Sequence, residues 1–237
     1  MAATTASSPE GVYQMVLVNY LVSMARTVET SVNRSLEALL QRDEKLASEV
    51  FLSEPRINEM EIIIDEQAVR QLRSGKLLEE DVRLIVATLK INNDLERIGD
   101  LAVNIGQRVI ALAPLDAVEI PAELGPMTEA VQAMVGKSLG ALIYRNVVLA
   151  NEVLESDDIV DQYRDQLFAQ LLEGMKKDPA QVAPNLHFLL ATRYLERIAD
   201  HATNIAEDIL FWVRGLDVRH GRARGLYGQT PANDSAL

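Results

Sequence analysis

The chain has 237 residues, a formal net charge of −12 and no cysteine. A negative surface repels phosphate backbones, which disfavours nucleic-acid binding, and the lack of thiols excludes disulfides, zinc–thiolate sites and cysteine nucleophiles. The N-terminal segment shows no secretory signal, and no uncharged run is long enough to span a bilayer comfortably, so we expect a cytoplasmic protein.

Helical periodicity runs through almost every segment between the glycine, proline and turn signals. Aromatic residues make up only 5% of the chain, which favours close-packed helices over strands. We predict helices over residues 10–41, 44–73, 79–112, 123–155, 157–176 and 184–214. Pro55 should kink or break the second helix, because proline lacks a backbone N–H and clashes inside a helix. Residues 216–237 hold few hydrophobic residues, and we predict a mobile tail there.

An internal repeat decides the architecture. Residues 95–105 read LERIGDLAVNI, and residues 195–205 read LERIADHATNI. Weaker matches join the other helices: Ser35 with Ser138, Glu49 with Glu152, and the segment 54–58 with 157–161. We therefore predict an all-α fold of two tandem three-helix bundles, related by an internal pseudo-two-fold repeat. The first bundle occupies residues 10–113 and the second occupies residues 122–215.

An apolar stripe and an acidic ridge share the third predicted helix, and both recur on the sixth. The stripes are Ile91, Leu95, Ile98, Ala102, Ile105, Val109 and Leu112, and Ala191, Leu195, Ile198, Ala202, Ile205, Ile209 and Trp212. The ridges are Glu96, Asp100 and Asn104, and Glu196, Asp200 and Asn204. Four-residue spacing places each ridge roughly opposite its stripe. Because the two are separate, we expect the fold to survive neutralisation of the ridges.

Two interpretations of the ridges stay open at this point. They are ordinary solvated helix faces, or they hold cations. Acids four residues apart repel each other by about 0.2–0.5 kcal/mol, and the fifth predicted helix adds the series Asp157, Asp161 and Asp165. Facing carboxylates need charge compensation, and carboxylate-rich sites without cysteine suit iron, manganese, magnesium or calcium.

The residues around this spacing, LERIGDLAVNI and YLERIADHATNI, resemble the paired signatures of the PhoU family. The resemblance covers roughly residues 10–215 and includes DDIVDQY at residues 157–163. It implies two repeated three-helix bundles, a homodimer and a non-enzymatic regulator of phosphate uptake. It also implies negative regulation of a phosphate-responsive sensor histidine kinase, through the ATP-hydrolysing subunit of the phosphate transporter. Association with a membrane would then be peripheral, through these partners.

The resemblance further implies multinuclear metal binding through paired Glu/Asp-x-x-x-Asp motifs. Divalent or trivalent ions are implied, and iron, zinc, manganese, magnesium and calcium are the candidates. The matching positions here are Glu54, Glu96, Asp100, Asp157, Asp161, Glu196 and Asp200, with Asn58, Asn104 and Asn204 as weaker donors.

The first repeat departs from the family motif. Asn58 stands where an acid is expected, and Pro55 and Arg56 disturb the site further. We therefore predict stronger metal binding in the second half of the chain. Glu61 and Asp65 do not align with the motif, and we assign them to the surface.

A carboxylate-bridged metal hydrolase or oxidase is the main alternative function, and a metal-free helical scaffold is the second. The chain has three histidines and no Glu-x-x-His pair, which disfavours a ferritin-like di-iron oxidase. We interpret His201 as a packing or hydrogen-bonding residue.

The first predicted helix carries no charge from Val12 to Met24. A three-helix bundle covers only one broad face of such a helix, so part of it is left for another contact. Burial under the other repeat and a dimer contact explain this equally well. The side with Tyr13, Leu17, Tyr20 and Met24 is the candidate dimer contact.

Overall fold

The computed structural model describes residues 9–73, 75, 77–115, 119–218 and 224–225, with side chains from Met15 to Val218. The helices in this part of the chain are α1 (Pro9–Gln41), α2 (Glu44–Phe51), α3 (Glu54–Leu72), α4 (Glu79–Leu112), α5 (Leu124–Tyr144), α6 (Val147–Lys177) and α7 (Val182–Arg214). A 3-10 turn, Pro179–Gln181, precedes α7. Two short strands, β1 (Leu216–Asp217) and β2 (Arg224–Gly225), pair antiparallel. Most of the tail predicted at 216–237 lies outside the described residues.

The first helix of each repeat ends in the same way. Arg42 and Arg145 adopt left-handed backbone conformations, with φ of 54° and 50°, and each reverses the chain. The next residue, Asp43 or Asn146, then caps the following helix by accepting hydrogen bonds from two backbone N–H groups of its first turn. The positions are 103 residues apart in both cases, so the turn belongs to the repeat.

The predicted boundary between the helices at 123–155 and 157–176 is wrong. The structure ends α5 at Tyr144 and runs α6 without a break from Val147 to Lys177. Arginine is an uncommon residue in the left-handed region, so Arg145 carried no turn signal by itself. The cap at Asn146 gives the physical reason for the true boundary, because its side chain satisfies amide groups that a new helix leaves unpaired.

The second predicted helix is broken as expected near Pro55. The chain leaves α2 at Phe51, turns through Leu52 and Ser53, and enters α3 with the proline in its first turn. Proline is tolerated there because the first N–H groups of a helix have no intrahelical acceptor. The first repeat therefore has a helix break where α6 of the second repeat is continuous.

Both predicted apolar stripes lie in the core. Every stripe residue of α4 and α7 is buried, most of them completely. Each fully buried leucine or isoleucine contributes about 1.5–3 kcal/mol to folding through removal of apolar surface from water. Apart from the two-residue strands β1 and β2, the described secondary structure is helical, which confirms the all-α fold. Two tandem bundles share this core.

Helices α4 and α7 join the two repeats. They pack against each other in opposite directions, so Lys90 near the start of α4 pairs with Asp208 near the end of α7. Further along, Asp94 of α4 contacts His201 of α7. We call this contact between α4 and α7 the inter-repeat joint. The domain limits at residues 113 and 122 stay a prediction, and residues 116–118 lie outside the described part.

No helix within the described ranges is long and apolar enough to cross a membrane.

Candidate metal sites

Glycines let α4 approach the helices beside it closely. A β-carbon on Gly99 would lie only 2.9 Å from Cδ1 of Ile57 in α3. A β-carbon on Gly106 would lie 3.0 Å from Cε1 of Phe51 in α2. This close packing sets α3 against the turn of α4 that carries Glu96 and Asp100, because Gly99 lies between these two acids in the sequence.

Glu61, Glu96 and Asp100 form an acidic cluster between α3 and α4, which we call the first site. Burial raises the pKa of the Glu96 carboxyl, and the charge of Asp100 raises it further, while Arg97 opposes both effects. Burial is also the largest cause of the raised pKa of Glu61, followed by the charge of Asp65. Burial is thus the main cause of both raised pKa values, and the repulsion among neighbouring acids adds to it.

One oxygen of the first site lacks a hydrogen-bond partner. The Oε2 atom of Glu96 is buried and accepts no hydrogen bond from the described residues. Arg97 Nε lies 3.3 Å away, without hydrogen-bond geometry, and Arg97 Nη1 lies 3.7 Å from Asp100 Oδ2. A buried carboxylate oxygen without a donor is costly, so this atom is suited to accept a cation.

The structure places the predicted partner motif differently. Glu54 is half-buried and Asn58 is exposed, and neither side chain forms a hydrogen bond or ion pair with a described residue. Glu61, which the sequence assigns to the surface, is half-buried and lies close enough to Glu96 and Asp100 for their charges to interact. The reason is that α3 packs along α4 and turns this half-buried side chain towards the first site. Asp65 is exposed, as predicted.

Asp157, Asp161, Glu196 and Asp200 come together between α6 and α7, and we call them the second site. Burial raises the pKa of Asp157, and the charge of Asp161 adds to the rise. A hydrogen bond from Thr203 Oγ1, 3.3 Å from Asp157 Oδ1, partly offsets it. Burial likewise raises the pKa of Asp200, followed by the charge of Glu196. The predicted ligands of the second repeat are therefore neighbours.

An arginine that the motif does not contain lies within the second site. Arg164 Nη1 donates to Asp161 Oδ1 at 2.6 Å and to Glu196 Oε1 at 2.7 Å. Its Nε donates to Asp165 Oδ1 at 2.9 Å. Arg193 donates to the other oxygen of Glu196, which is only 7% exposed. The hydrogen bond to Glu196 raises the pKa of Arg164 above its ordinary value, so this guanidinium stays charged.

The asparagines at the ends of the two ridges differ in their surroundings. Asn204 belongs to the inter-repeat joint, where its Nδ2 lies 3.4 Å from Oδ1 of Asp94. The same oxygen lies 2.7 Å from Nδ1 of His201, which confirms the interpretation of His201 as a hydrogen-bonding residue. Asn104 is half-buried on α4. The weaker donor positions therefore do not add to the two acidic clusters in the described contacts.

A family model described as the PhoU domain matches residues 21–109 and again residues 124–209. The chain belongs to the PhoU family. It is 38% identical over 205 residues to the phosphate-specific transport system accessory protein PhoU homolog of Pseudomonas aeruginosa, covering 85% of this chain and 84% of that protein. The protein of the same description from Clostridium acetobutylicum is 33% identical over 199 residues, covering 84% and 91% of the two chains.

Two solved PhoU structures share the architecture. The crystal structure of PhoU from Pseudomonas aeruginosa superposes with a TM-score of 0.84 at 35% identity, covering 86% of this chain and 98% of that one. The phosphate transport system regulatory protein PhoU from Streptococcus pneumoniae gives a TM-score of 0.79 at 23% identity, with 87% and 97% covered, and shows the shared fold. The family resemblance and the fold of tandem helical bundles are both confirmed.

The two sites of this PhoU-family chain fit a metal ion unequally. Within the described ranges, no group of three or more histidine, aspartate or glutamate side chains is already arranged to hold a metal ion. Carboxylates would therefore have to turn inward to bind it. The first site offers Oε2 of Glu96, which is paired with Arg97 but accepts no hydrogen bond from a described residue, and the carboxyl of Glu61, which neighbouring acids repel. In the second site, Arg164 already supplies a positive charge to Glu196. The all-oxygen donor set suits hard cations in both.

Sequence reasoning missed Glu61 and Arg164, although the repeat contained the signal. The alignment that sets residues 54–58 opposite 157–161 also sets Glu61 opposite Arg164. Both lie three residues beyond the motif, on the same helix face as its last residue. Extending the motif by one turn would have identified them.

Proposed function

We propose that the chain is a non-enzymatic, cytoplasmic regulator of phosphate uptake and phosphate-responsive signalling. The observation that carries this proposal is the match of both repeats to the PhoU domain, together with 38% identity to a phosphate-specific transport system accessory protein. The match spans most of both chains, so the comparison covers the whole relative rather than a shared module. We extend the role of the relatives to this chain.

In the proposed function, a homodimer links the ATP-hydrolysing subunit of a phosphate transporter to a sensor histidine kinase. The kinase is restrained when external phosphate is sufficient. This role needs a stable helical surface rather than a reactive group. The shared core of α4 and α7 supports it, because it holds the two repeats in one arrangement that partners can recognise.

Metal ions are the second part of the proposal. Glu61, Glu96 and Asp100 would hold metal in the first repeat, and Asp157 and Asp200 would hold it in the second, with Asp161 and Glu196 beside them. A bound cation would neutralise the clustered carboxylates and connect neighbouring helices. The raised pKa values of Glu61, Glu96, Asp157 and Asp200 support the proposal, since burial and neighbouring acids disfavour their ionised forms and a cation would favour them.

The enzyme alternative has less support from the contacts. A metal hydrolase or oxidase needs a base or a histidine ligand beside the carboxylates. His201 bonds to Asp94 in the inter-repeat joint, and His187 lies beside Arg108, whose charge lowers the histidine pKa after the larger effect of burial. Neither of these described histidines bonds to a carboxylate of the two sites.

Complementation tests the proposed function. The chain would be expressed in a Pseudomonas aeruginosa strain that lacks its own PhoU homolog, beside that homolog and an empty vector. We expect the chain to restore control of phosphate uptake and repression of phosphate-starvation genes in phosphate-rich medium. A soluble, well-expressed chain that restores neither would contradict the proposal. Co-purification with the transporter ATPase subunit and the sensor kinase would test the two proposed partners directly.

A further inference from the structure

A cleft of about 950 Å³ opens in the first repeat, between α1 and the junction of α2 with α3. Its charged lining consists of Arg26, Arg34, Arg56 and Glu49, so the lining is net positive. The whole chain has a net charge of −12. A positive cleft in such an acidic protein calls for a specific reason. We call it the arginine cleft.

Two of its arginines are available to a ligand. Arg26 and Arg56 are exposed, and neither forms an ion pair with a described residue. The third, Arg34, has its Nε 3.8 Å from Oε2 of Glu49, too far for a hydrogen bond. A guanidinium presents several N–H donors in a planar fork, and such forks match the oxygens of carboxylate and phosphate groups.

Comparison with the second repeat shows that the fold does not require arginine at positions 26 and 56. The ion pair of Arg34 with Glu49 has its counterpart there in Lys137 and Glu152, 2.9 Å apart, so the fold retains that pair in both repeats. The counterparts of the two available arginines are uncharged or acidic: Glu129 stands opposite Arg26, and Ile159 stands opposite Arg56. The surplus positive charge therefore belongs to the first repeat alone.

The helix break adds polar groups at the floor of the cleft. Ser53 lines the cleft and precedes α3, yet its side chain does not cap that helix. Its Oγ bonds instead to the carbonyl oxygen of Val50, at 2.6 Å, and to Oγ of Ser31, at 2.9 Å. The backbone amides of Glu54 and Arg56, at the start of the 19-residue helix α3, thus have no side-chain cap, while Pro55 has no amide N–H. Amide groups at a helix start favour anions.

We propose that the arginine cleft binds a small anion that carries a phosphate group. Arg26 and Arg56 would contact the phosphate oxygens, with Arg34 as a third positive charge. The cleft is far larger than a phosphate ion and has apolar walls at Val22 and Leu52, so a phosphate ester with an organic body fits it better. The proposal concerns α1 to α3 alone and does not depend on the regulatory role.

Calorimetric titration of the full chain tests the proposal. The probes are inorganic phosphate and adenosine 5′-monophosphate, each titrated in chelator so that metal bound at the acidic sites cannot bridge to the phosphate. The test variant is Arg26→Gln/Arg56→Gln. The matched control is Arg70→Gln/Arg214→Gln, which removes two exposed arginines outside the cleft. Both variants change the net charge equally.

We expect at least one probe to bind the unmodified chain, with adenosine 5′-monophosphate the tighter of the two. The cleft variant should lose at least about tenfold in affinity, since it removes the charge-assisted hydrogen bonds of two guanidinium groups to the phosphate. The control should bind as the unmodified chain does. Tighter binding of inorganic phosphate would still support the site and would identify free phosphate as its source. Absence of binding by both probes, or equal losses in the two variants, would overturn the proposal.

Discussion

Glu61 of α3 and Arg164 of α6 occupy equivalent positions in the two repeats, 103 residues apart, and carry opposite charges. Arg164 donates to Glu196, whereas Glu61 repels the equivalent Glu96. The second repeat thus adds an arginine that donates to its acidic motif, whereas the first repeat, whose motif is paired only with Arg97 among the described residues, adds a further acid. This exchange makes the two sites different in kind, although their motifs are similar.

The first prediction concerns Glu61. In a background in which Glu196→Gln/Asp200→Asn has neutralised the second site, Glu61→Gln should weaken Mn²⁺ binding by at least about tenfold. The reason is that the substitution removes a charged oxygen donor from the cluster around Glu96. Calorimetric titration with Mn²⁺ measures the affinity.

The control for this substitution is Glu59→Gln, an exposed glutamate on the same helix. It makes the same change of net charge but faces away from the first site. An equal loss of Mn²⁺ affinity in both variants would mean that overall charge, rather than coordination by Glu61, determines binding.

The second prediction concerns Arg164. Its replacement by glutamine should strengthen Mn²⁺ binding to the second repeat, because a cation would no longer compete with the guanidinium for Glu196 and Asp161. The metal-free variant should be less stable, since buried Glu196 loses a charged donor worth about 1.5–3 kcal/mol. Each kcal/mol lowers the melting temperature by roughly 2–4 °C in a chain of this size. Unchanged Mn²⁺ affinity would show that Arg164 does not compete with metal.

These contacts favour a different order of affinity from the one the sequence predicts. The motif is complete in the second repeat, which predicts stronger binding there. Arg164 and Arg193 both donate hydrogen bonds to Glu196, however, while Oε2 of Glu96 has only an ion pair with Arg97 and accepts no hydrogen bond from a described residue. We therefore expect a larger loss of bound Mn²⁺ from Glu96→Ala/Asp100→Ala than from Glu196→Ala/Asp200→Ala. The reverse order would support the prediction from motif completeness.

The third prediction separates two acids of one ridge. Asp200→Asn should stabilise the metal-free protein at neutral pH, because burial and neighbouring acids raise the pKa of Asp200. A carboxyl with a raised folded-state pKa contributes its stability below the ordinary pKa of about 3.9, and this stability is lost as the pH rises through the raised value. The advantage of the asparagine should therefore disappear as the pH falls towards 4. Thermal unfolding in chelator at several pH values measures it.

Glu196→Gln is the contrasting variant and should lower the melting temperature. Its side chain is buried and accepts hydrogen bonds from Arg164 and Arg193, so the substitution removes charged pairing without a gain. The two substitutions should therefore change the melting temperature in opposite directions. The sequence predicts only that the fold survives when both positions are neutralised together. Equal effects of the two substitutions would contradict this distinction.

The helices that carry the sites could be predicted from the sequence because their signals are local. The stripe from Ile91 to Leu112 follows helical spacing, and all of it is buried. The break before α3 was also predictable from a local signal, because Pro55 lacks a backbone N–H and is excluded from a helix interior. The boundary at Arg145 could not be found in this way. An arginine in the left-handed region has no local sequence signature, and the single capping residue Asn146 follows it without a glycine or proline. Only comparison with Arg42 and Asp43, at the same repeat spacing, reveals it.

The candidate sites were less accessible to sequence reasoning because they depend on which helices face each other. Spacing predicts that Glu196 and Asp200 share a ridge, yet it does not show that Glu196 is the more deeply buried of the two. Arg164 lies 32 residues from Glu196 in sequence, and only the packing of α6 on α7 brings them together. The same holds for Asp94 and His201, whose contact crosses the two repeats.

Helix α1 corrects the predicted dimer side in part. Leu17 and Met24 are both fully buried within the chain, so they are core residues rather than interface residues. Tyr20 is 37% exposed, and Met15 beside this side of the helix is 57% exposed. The side chain of Tyr13 lies outside the described side chains. Part of the uncharged segment therefore belongs to the intramolecular core. Met15 and Tyr20 form an exposed part of it, which we call the exposed strip.

The last prediction uses this division to test for a dimer. Leu17→Glu should prevent stable folding, because a charge in the core has no partner. Met15→Glu/Tyr20→Glu should leave the helical content and melting temperature nearly unchanged, since both side chains reach solvent. If the exposed strip forms the proposed homodimer contact, light scattering should give a dimer for the unmodified chain and a monomer for this variant. Leu172→Glu, at an exposed leucine of α6, is the control and should stay dimeric. A dimer that persists in the Met15/Tyr20 variant would place the contact on another surface, because two charges introduced into an apolar interface cannot be buried without partners.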